Sequence, residues 1–391
     1  MSQPLLVYGA GAIVTGLPEK PLISGDALLV KDGKVAALGR RDEVDPGGPL
    51  RRLDVRGGTL VPGLIDPHTH PVLGDYTPRQ NTTGWVSSYL HGGVTSLISA
   101  GETHWPGRPR SATGVKAVAI AARLSSEGLR PGGARLYGGA LLLEHGLDER
   151  DFDEMHAAGV RLLGEVGLGS VIDPAELLPM VGWARARGWV VPMHVGGASV
   201  PGSNVVDAKL VLEVQPDVAS HLNGGPTARP MDEIRTIIEG TIAAIEVVQA
   251  GNLSALVSIV GLLRERGEEA RLQIATDTPS GTGVIPLGLL RTIANCVSLG
   301  GLEPEMAICC ATGATARRYG LTTGALLPGS PADMVVLHAP LGGAAVNALD
   351  ALRVGDTPAV VLAMVEGEVH VSRSRMTPPP VHELREGDGE A

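Results

Sequence analysis

Eight short apolar runs, separated by longer stretches of helical periodicity, fill the middle of this chain, and that rhythm limits the folds open to it. The runs are Thr59–Ile65, Thr95–Ser99, Ala134–Leu141, Val160–Glu165, Trp189–Met193, Asp217–His221, Ala243–Val248 and Leu272–Ala275. Helical segments such as Pro179–Arg187, Met231–Ile238 and Ala255–Arg266 fall between them. A strand returning parallel to its predecessor needs a crossover long enough to hold a helix, so this alternation predicts an α/β fold with parallel strands. Residues 61–324 are accordingly read as a (β/α)8 TIM barrel. In such a barrel the reacting side chains sit at the C-terminal ends of the strands.

The two ends of the chain have another pattern. Leu28–Val35 places Asp32-Gly33 between two apolar runs, and Val360–Val371 turns at Glu366-Gly367; both are hairpin signals. Ala332–Leu337 reads as a further strand. Lone hairpins bury too little apolar area to be stable. Residues 1–60 and 325–372 are therefore predicted to pack together as one small β-sandwich domain. Residues 373–391, with Pro378-Pro379-Pro380 and a charged end, read as a tail that is disordered or wraps a neighbouring subunit.

Charge narrows the partners. The 391 residues carry 32 Lys and Arg against 42 Asp and Glu, a net charge of −10, with no basic stripe. Such a chain does not suit a phosphate backbone or an anionic membrane. With 4 Trp, 5 Tyr and 1 Phe, platforms for stacking nucleic-acid bases are hard to build. The start of the chain lacks a signal-peptide pattern, and no apolar run reaches the ~18 residues of a membrane span. A cytoplasmic protein is expected. Cys296, Cys309 and Cys310 form no CxxC pair, so neither a disulfide framework nor a structural zinc site is expected.

The strand ends carry the chemistry. Asp66-Pro67-His68-Thr69-His70 follows the first run; in extended backbone, residues i and i+2 point the same way, so His68 and His70 aim two imidazoles at one place. The fourth run ends at Glu165, the fifth leads to His194, the sixth to His221 and the eighth to Asp277. Glu165, His194 and His221 are 29 and 27 residues apart, about the length of one strand–helix unit. Six metal-competent side chains thus gather on one rim, more than one zinc takes. They suit two divalent metals: His68, His70 and Asp277 on one, His194 and His221 on the other, with Glu165 bridging. Paired metals generate hydroxide at neutral pH and polarise a carbonyl. Asp277 could carry the proton from water to a leaving nitrogen.

This constellation resembles the amidohydrolase superfamily, which combines such a barrel with a small β-sandwich built from both termini. That superfamily's usual bridge is a carboxylated lysine. Here none of Lys20, Lys31, Lys34, Lys116 and Lys209 falls near the fourth strand end, and Glu165 does, which points to a subgroup with a glutamate bridge. Within the superfamily, Gly74–Gln80, Ser99-Ala100-Gly101, Pro106–Pro109, Leu163–Gly169, His221–Thr227, Asp277–Gly283 and Thr377-Pro378-Pro379 resemble the enamidases of nicotinate fermentation. That resemblance implies opening of the lactam of 6-oxo-1,4,5,6-tetrahydronicotinate to give 2-formylglutarate and ammonia. It also implies zinc paired with zinc or iron, and a homotetramer.

An anionic cyclic amide needs a grip on its carboxylate. Arg79 is the candidate, because a guanidinium can hold a carboxylate bidentately. Ser280 and Thr282 could donate to the same group, or Pro279-Ser280-Gly281 could only shape a turn. Asn223 could hold the lactam or orient a ligand, and His104 could line the pocket. Asp66 and Glu102 are candidates to support the ligand histidines. Gly196-Gly197 and Gly224-Gly225 would let backbone come close to a substrate. His91, His145, His156, His338, His370 and His382 are read as packing or surface histidines. The other readings are a hydantoinase- or dihydropyrimidinase-like cyclic amidase, an amidine deaminase, and a scaffold that has lost turnover.

Overall fold

The computed structural model describes residues 3–71, 82–105, 107–198, 203–225, 227–279 and 283–387. The chain opens with strands β1 (Leu5–Tyr8), β2 (Ala12–Val14), β3 (Leu22–Ile23), β4 (Ala27–Lys31), β5 (Lys34–Gly39), β6 (Arg51–Asp54) and β7 (Thr59–Pro62). The middle carries β8 (Leu64–Thr69), β9 (Val94–Ser99), β10 (Arg135–Tyr137), β11 (Ala140–Leu141), β12 (Leu162–Leu163), β13 (Pro192–His194), β14 (Val218–Ser220), β15 (Ala244–Val248) and β16 (Leu272–Ala275). The end supplies β17 (Met334–His338), β18 (Ala359–Val365), β19 (Glu368–Val371) and β20 (Arg385–Glu386).

Every pairing among the middle strands is parallel. β8, β9 and β10 pair in turn, β11 pairs with β12, and β13 to β16 form a further sheet. Parallel bridges Leu162–Val190 and Val166–Met193 join the β12 and β13 regions, and Thr69–Thr278 brings the end of the β16 region back to β8. Helices Ala112–Gly128, Glu149–Ala157, Pro174–Ala186, Ala208–Val214, Met231–Gly240, Leu253–Glu265 and Gly288–Ser298 lie between and after these strands. Their buried faces share one apolar cluster with the strands, including Leu97, Phe152, Met180, Ile237, Ile259 and Ile293. The helices start where side-chain caps allow it: Asp173 accepts from Ala175 N with Pro174 in the first turn, and Asn252 accepts from Ala255 N. The helix after the fourth run therefore begins at Pro174, earlier than the 179 expected from its apolar spacing.

The terminal strands make two sheets, ordered β20-β6-β1-β4-β5 and β19-β18-β17-β7-β2-β3. Leu28 and Val30 of the first and Leu60, Met334, Val336 and Leu362 of the second belong to one apolar cluster. The hairpins turn at Asp32-Gly33 and Glu366-Gly367, as read.

Two strand expectations are corrected. The run Thr59–Ile65 is not one strand: it breaks at Gly63, and its halves serve different sheets. A Cβ at Gly63 would lie 2.2 Å from Thr95 Oγ1, so only glycine fits that crossing. The run Ala134–Leu141 is likewise broken, at Gly138-Gly139, where the helix Ala112–Gly128 comes against the backbone. Residues 373–387 make contacts within the chain: β20 pairs antiparallel with β6, Leu341 N donates to the Pro379 carbonyl, and Ser374 Oγ to that of His91. No helix among the described residues is long and apolar enough to cross a membrane.

Candidate metal centre

Six side chains converge from the strand ends. His68 and His70 stand at the end of β8, Glu165 lies beyond β12, His194 closes β13, His221 follows β14, and Asp277 lies two residues past β16. The four histidines and Glu165 are buried, and Asp277 is partly exposed. Glu165 divides its oxygens between two groups. Oε2 is 3.3 Å from His68 Nε2 and 3.7 Å from His70 Nε2, whereas Oε1 is 2.7 Å from His221 Nε2 and 3.9 Å from His194 Nδ1. Asp277 Oδ1 faces the first pair, 3.5 Å from His68 Nε2 and 3.2 Å from His70 Nε2. Candidate ligand atoms of His68, His70 and Asp277, and of His68, Glu165 and His221, all lie within 4.8 Å of one another.

The far side of three of the rings shows that a cation fits. His68 Nδ1 lies 2.6 Å from Glu246 Oε1, His70 Nδ1 2.9 Å from the Gly101 carbonyl, and His194 Nε2 2.8 Å from the Gly197 carbonyl. These oxygens only accept, so each of those ring nitrogens donates, and the opposite nitrogen of a neutral ring is a bare lone pair. Yet His68 Nε2 and His70 Nε2 face each other at 3.2 Å. Lone pairs held this close repel unless positive charge sits between them. Imidazole and carboxylate are ordinary zinc and iron ligands, and the outer hydrogen bonds set the tautomers such ligands need.

The surrounding carboxylates favour positive charge at this place. Burial works against a charged His68, but Glu165, Glu246 and Asp277 outweigh it and raise its pKa well above 6.5. Burial opposes ionisation of Glu165 too, and His68 and His221 hold it well below the usual carboxylate range. Asp277 is lowered against its burial by His68 and His70. Burial and the neighbouring His221 push His194 down to about 4, so it stays neutral and free to donate a lone pair. The backbone is strained at two of the six: His221 has φ 35° and Asp277 φ 59°, a region costing a non-glycine residue about 1–3 kcal/mol. Hydrogen bonds hold both there, from His221 N to Glu246 Oε1 at 3.0 Å and from Asp277 N to the His68 carbonyl at 3.0 Å.

Glu246 was missed in the sequence. It sits within Ala-Ile-Glu-Val-Val of β15, where a charged residue inside a buried apolar run was the available signal. Asp66 accepts from the backbone N–H groups of His68 and Thr276 and from Thr276 Oγ1, so it braces two strand ends and touches no imidazole; burial pushes its pKa up to about 7. Glu102 is buried.

Among the expected substrate contacts, Arg79, Ser280 and Thr282 lie outside the described residues. His104 sits beside the centre, its ring centroid 4.7 Å from that of His70, with burial lowering its pKa to about 4. Asn223 is corrected. It is fully buried, its amide nitrogen donates to the Val248 carbonyl at 3.0 Å, and its oxygen accepts from Val248 N at 2.8 Å. That side chain ties a loop to β15 and is not free for a lactam. The glycines after the histidines meet protein: a Cβ at Gly196 would lie 2.4 Å from the Thr227 carbonyl oxygen, and one at Gly224 2.8 Å from Thr227 Oγ1.

The chain is 44% identical over 374 residues to enamidase from Eubacterium barkeri, covering 96% of this chain and 97% of that one. The chain belongs to the enamidase family of the amidohydrolase superfamily. This amidohydrolase superposes on the crystal structure of an enamidase with a TM-score of 0.93 at 43% identity, covering 98% and 100% of the two chains. As a family member it is a hydrolase of C–N bonds. An imidazolonepropionase from Salinispora arenicola shares 31% identity over 182 residues, 44% of this chain and 42% of that one. A β-aspartyl dipeptidase from Fervidobacterium islandicum, at 19% identity and a TM-score of 0.65, shares the fold over 97% of this chain and 100% of its own. No family model matches the chain.

Proposed function

We propose that this amidohydrolase opens the lactam of 6-oxo-1,4,5,6-tetrahydronicotinate at a two-metal centre, yielding 2-formylglutarate and ammonia. The observation that carries the reading is the division of Glu165, one oxygen toward His68 and His70 and the other toward His221 and His194. The similarity to enamidase over nearly the whole chain supports the substrate. The parallel bridge Thr69–Thr278, which brings the β16 region back to β8, supports a closed (β/α)8 barrel over residues 61–324. The apolar cluster shared by the two terminal sheets supports a β-sandwich from residues 1–60 and 325–372.

His68, His70 and Asp277 would hold one divalent metal and His194 and His221 the other, zinc with zinc or iron, with Glu165 between them. Bound there, the metals activate water and polarise the carbonyl. Asp277, partly exposed at the mouth, takes the proton released as water adds to the lactam carbon. It passes that proton to the ring nitrogen as the C–N bond breaks. The enamine then tautomerises, and a second water releases ammonia. Arg79 grips the substrate carboxylate, and His104 lines the pocket beside His70. The active form is a cytoplasmic homotetramer.

The test is ammonia release from 6-oxo-1,4,5,6-tetrahydronicotinate by metal-loaded protein. Turnover of about 1 s⁻¹ or more, lost in Asp277→Asn, is expected. No ammonia from protein holding both metals would overturn this substrate and direct the search to other lactams, hydantoins and amidines.

A further inference from the structure

The strands that deliver His194, His221 and Asp277 at one end border an open cavity at the other. It has a volume of about 750 Å³ and is lined where β13, β14, β15 and β16 begin. Its charged residues are Arg185, Arg271, Arg318 and Asp217, three cations against one anion. Asp217 is occupied in part, its Oδ2 accepting from Val191 N at 2.8 Å. Arg271 is paired with Glu268 and donates to the carbonyls of Ala243 and Thr241. Arg185 and Arg318 have no carboxylate within 4.0 Å among the described residues. Arg185 donates only to the carbonyls of Val214 and Gln215.

Arg318 closes the helix Gly313–Arg318 and is only partly exposed. One of its five N–H groups, on Nη1, donates to Gln273 Oε1 at 2.7 Å. Gln273 is held in turn, its Nε2 donating to Glu246 Oε2 at 2.6 Å, and Glu246 Oε1 accepts from His68. One edge of the guanidinium is thereby fixed while the group lines open space. Burial lowers its pKa below the ordinary arginine value, a sign of lost hydration. A cation short of water, held in orientation, with spare donors beside a cavity, is the chemistry that captures an oxyanion.

We propose that this cavity binds a small oxyanion, a carboxylate or a phosphate, on Arg318 with Arg185 as the second cation. The site is separate from the metal centre and lies at the opposite ends of the same strands.

The test is calorimetric titration of the metal-loaded enzyme with inorganic phosphate and, separately, with glutarate; the tighter of the two names the class. Because either probe can also meet the metals, the variants carry the assignment. Arg185→Ala, at an exposed position, is expected to weaken binding about tenfold, the worth of one charged hydrogen bond, with kcat within about twofold of the parent. Arg318→Gln is expected to abolish that binding; should it fail to fold, Arg185→Ala decides alone. No saturable binding of either anion, or an Arg185→Ala isotherm identical to the parent, overturns the proposal.

Discussion

Glu246 Oε1 accepts the Nδ1 proton of His68 at 2.6 Å. The same oxygen accepts the backbone N–H of His221 at 3.0 Å. One carboxylate thus orients a ring from one ligand group and the strained backbone of the other. Glu246→Gln is expected to lower metal affinity or kcat 10–100-fold, roughly what outer-sphere partners of metal ligands are worth. Competition with a graded chelator, read beside kcat, checks this; parent-like affinity and rate would remove Glu246 from the centre.

Glu165 and His194 should differ in what they cost. His194 belongs to one group, so His194→Ala should leave about one metal per chain where the parent holds about two. Glu165 faces both, so Glu165→Ala should leave less than about one. Elemental analysis after dialysis reads the counts. Equal losses in the two variants would contradict the bridging arrangement.

Asn223 is expected to matter for stability and not for substrate. Asn223→Ala leaves the backbone N–H and carbonyl of Val248 without their buried partner, at roughly 1–3 kcal/mol per group. Denaturant unfolding should show that loss while KM stays within about twofold. A tenfold rise in KM at unchanged stability would return Asn223 to the substrate.

The centre was legible because one strand–helix unit has a nearly constant length, which puts Glu165, His194 and His221 in phase at successive strand ends. Glu246 obeys the same geometry but lies inside β15, where period-two alternation does not say which buried side chain faces the histidines. Asn223 has the position of a ligand and the side chain of a loop tie, and residue type alone does not separate them. The split of Thr59–Ile65 hinges on Gly63, because the apolar run continues across a change of sheet. β20 is two charged, exposed residues whose pairing with β6 leaves no apolar pattern to read.

Chelation should destabilise the protein as well as silence it. Ligands that meet only in the folded chain make metal binding part of folding, worth about 4 kcal/mol when free metal is ~1,000 times Kd. The melting temperature should fall on treatment with chelator and recover with added zinc. A melting temperature indifferent to metal would mean that the six side chains hold none.

His338 gives a pH dependence far from the metals. It is buried and donates from Nε2 to the Val55 carbonyl at 2.8 Å; burial outweighs that acceptor and holds its pKa below 6.5. A depressed histidine contributes its full stability above 6.5 and loses it as pH falls through the folded-state value. Unfolding free energy should therefore fall from about pH 7 to about pH 5 more steeply in the parent than in His338→Gln. Parallel slopes would refute the assignment.

The run of hydrogen bonds from Arg318 through Gln273 and Glu246 to His68 also bears on how such an enzyme can change. Replacing Gln273 alone by a hydrocarbon leaves the buried Glu246 Oε2 without that donor and frees the edge of Arg318 that Gln273 holds. Replacing Glu246 alone frees His68. A change at any one of these positions is consequently felt at its neighbour in the run, from the cavity wall to the metal centre.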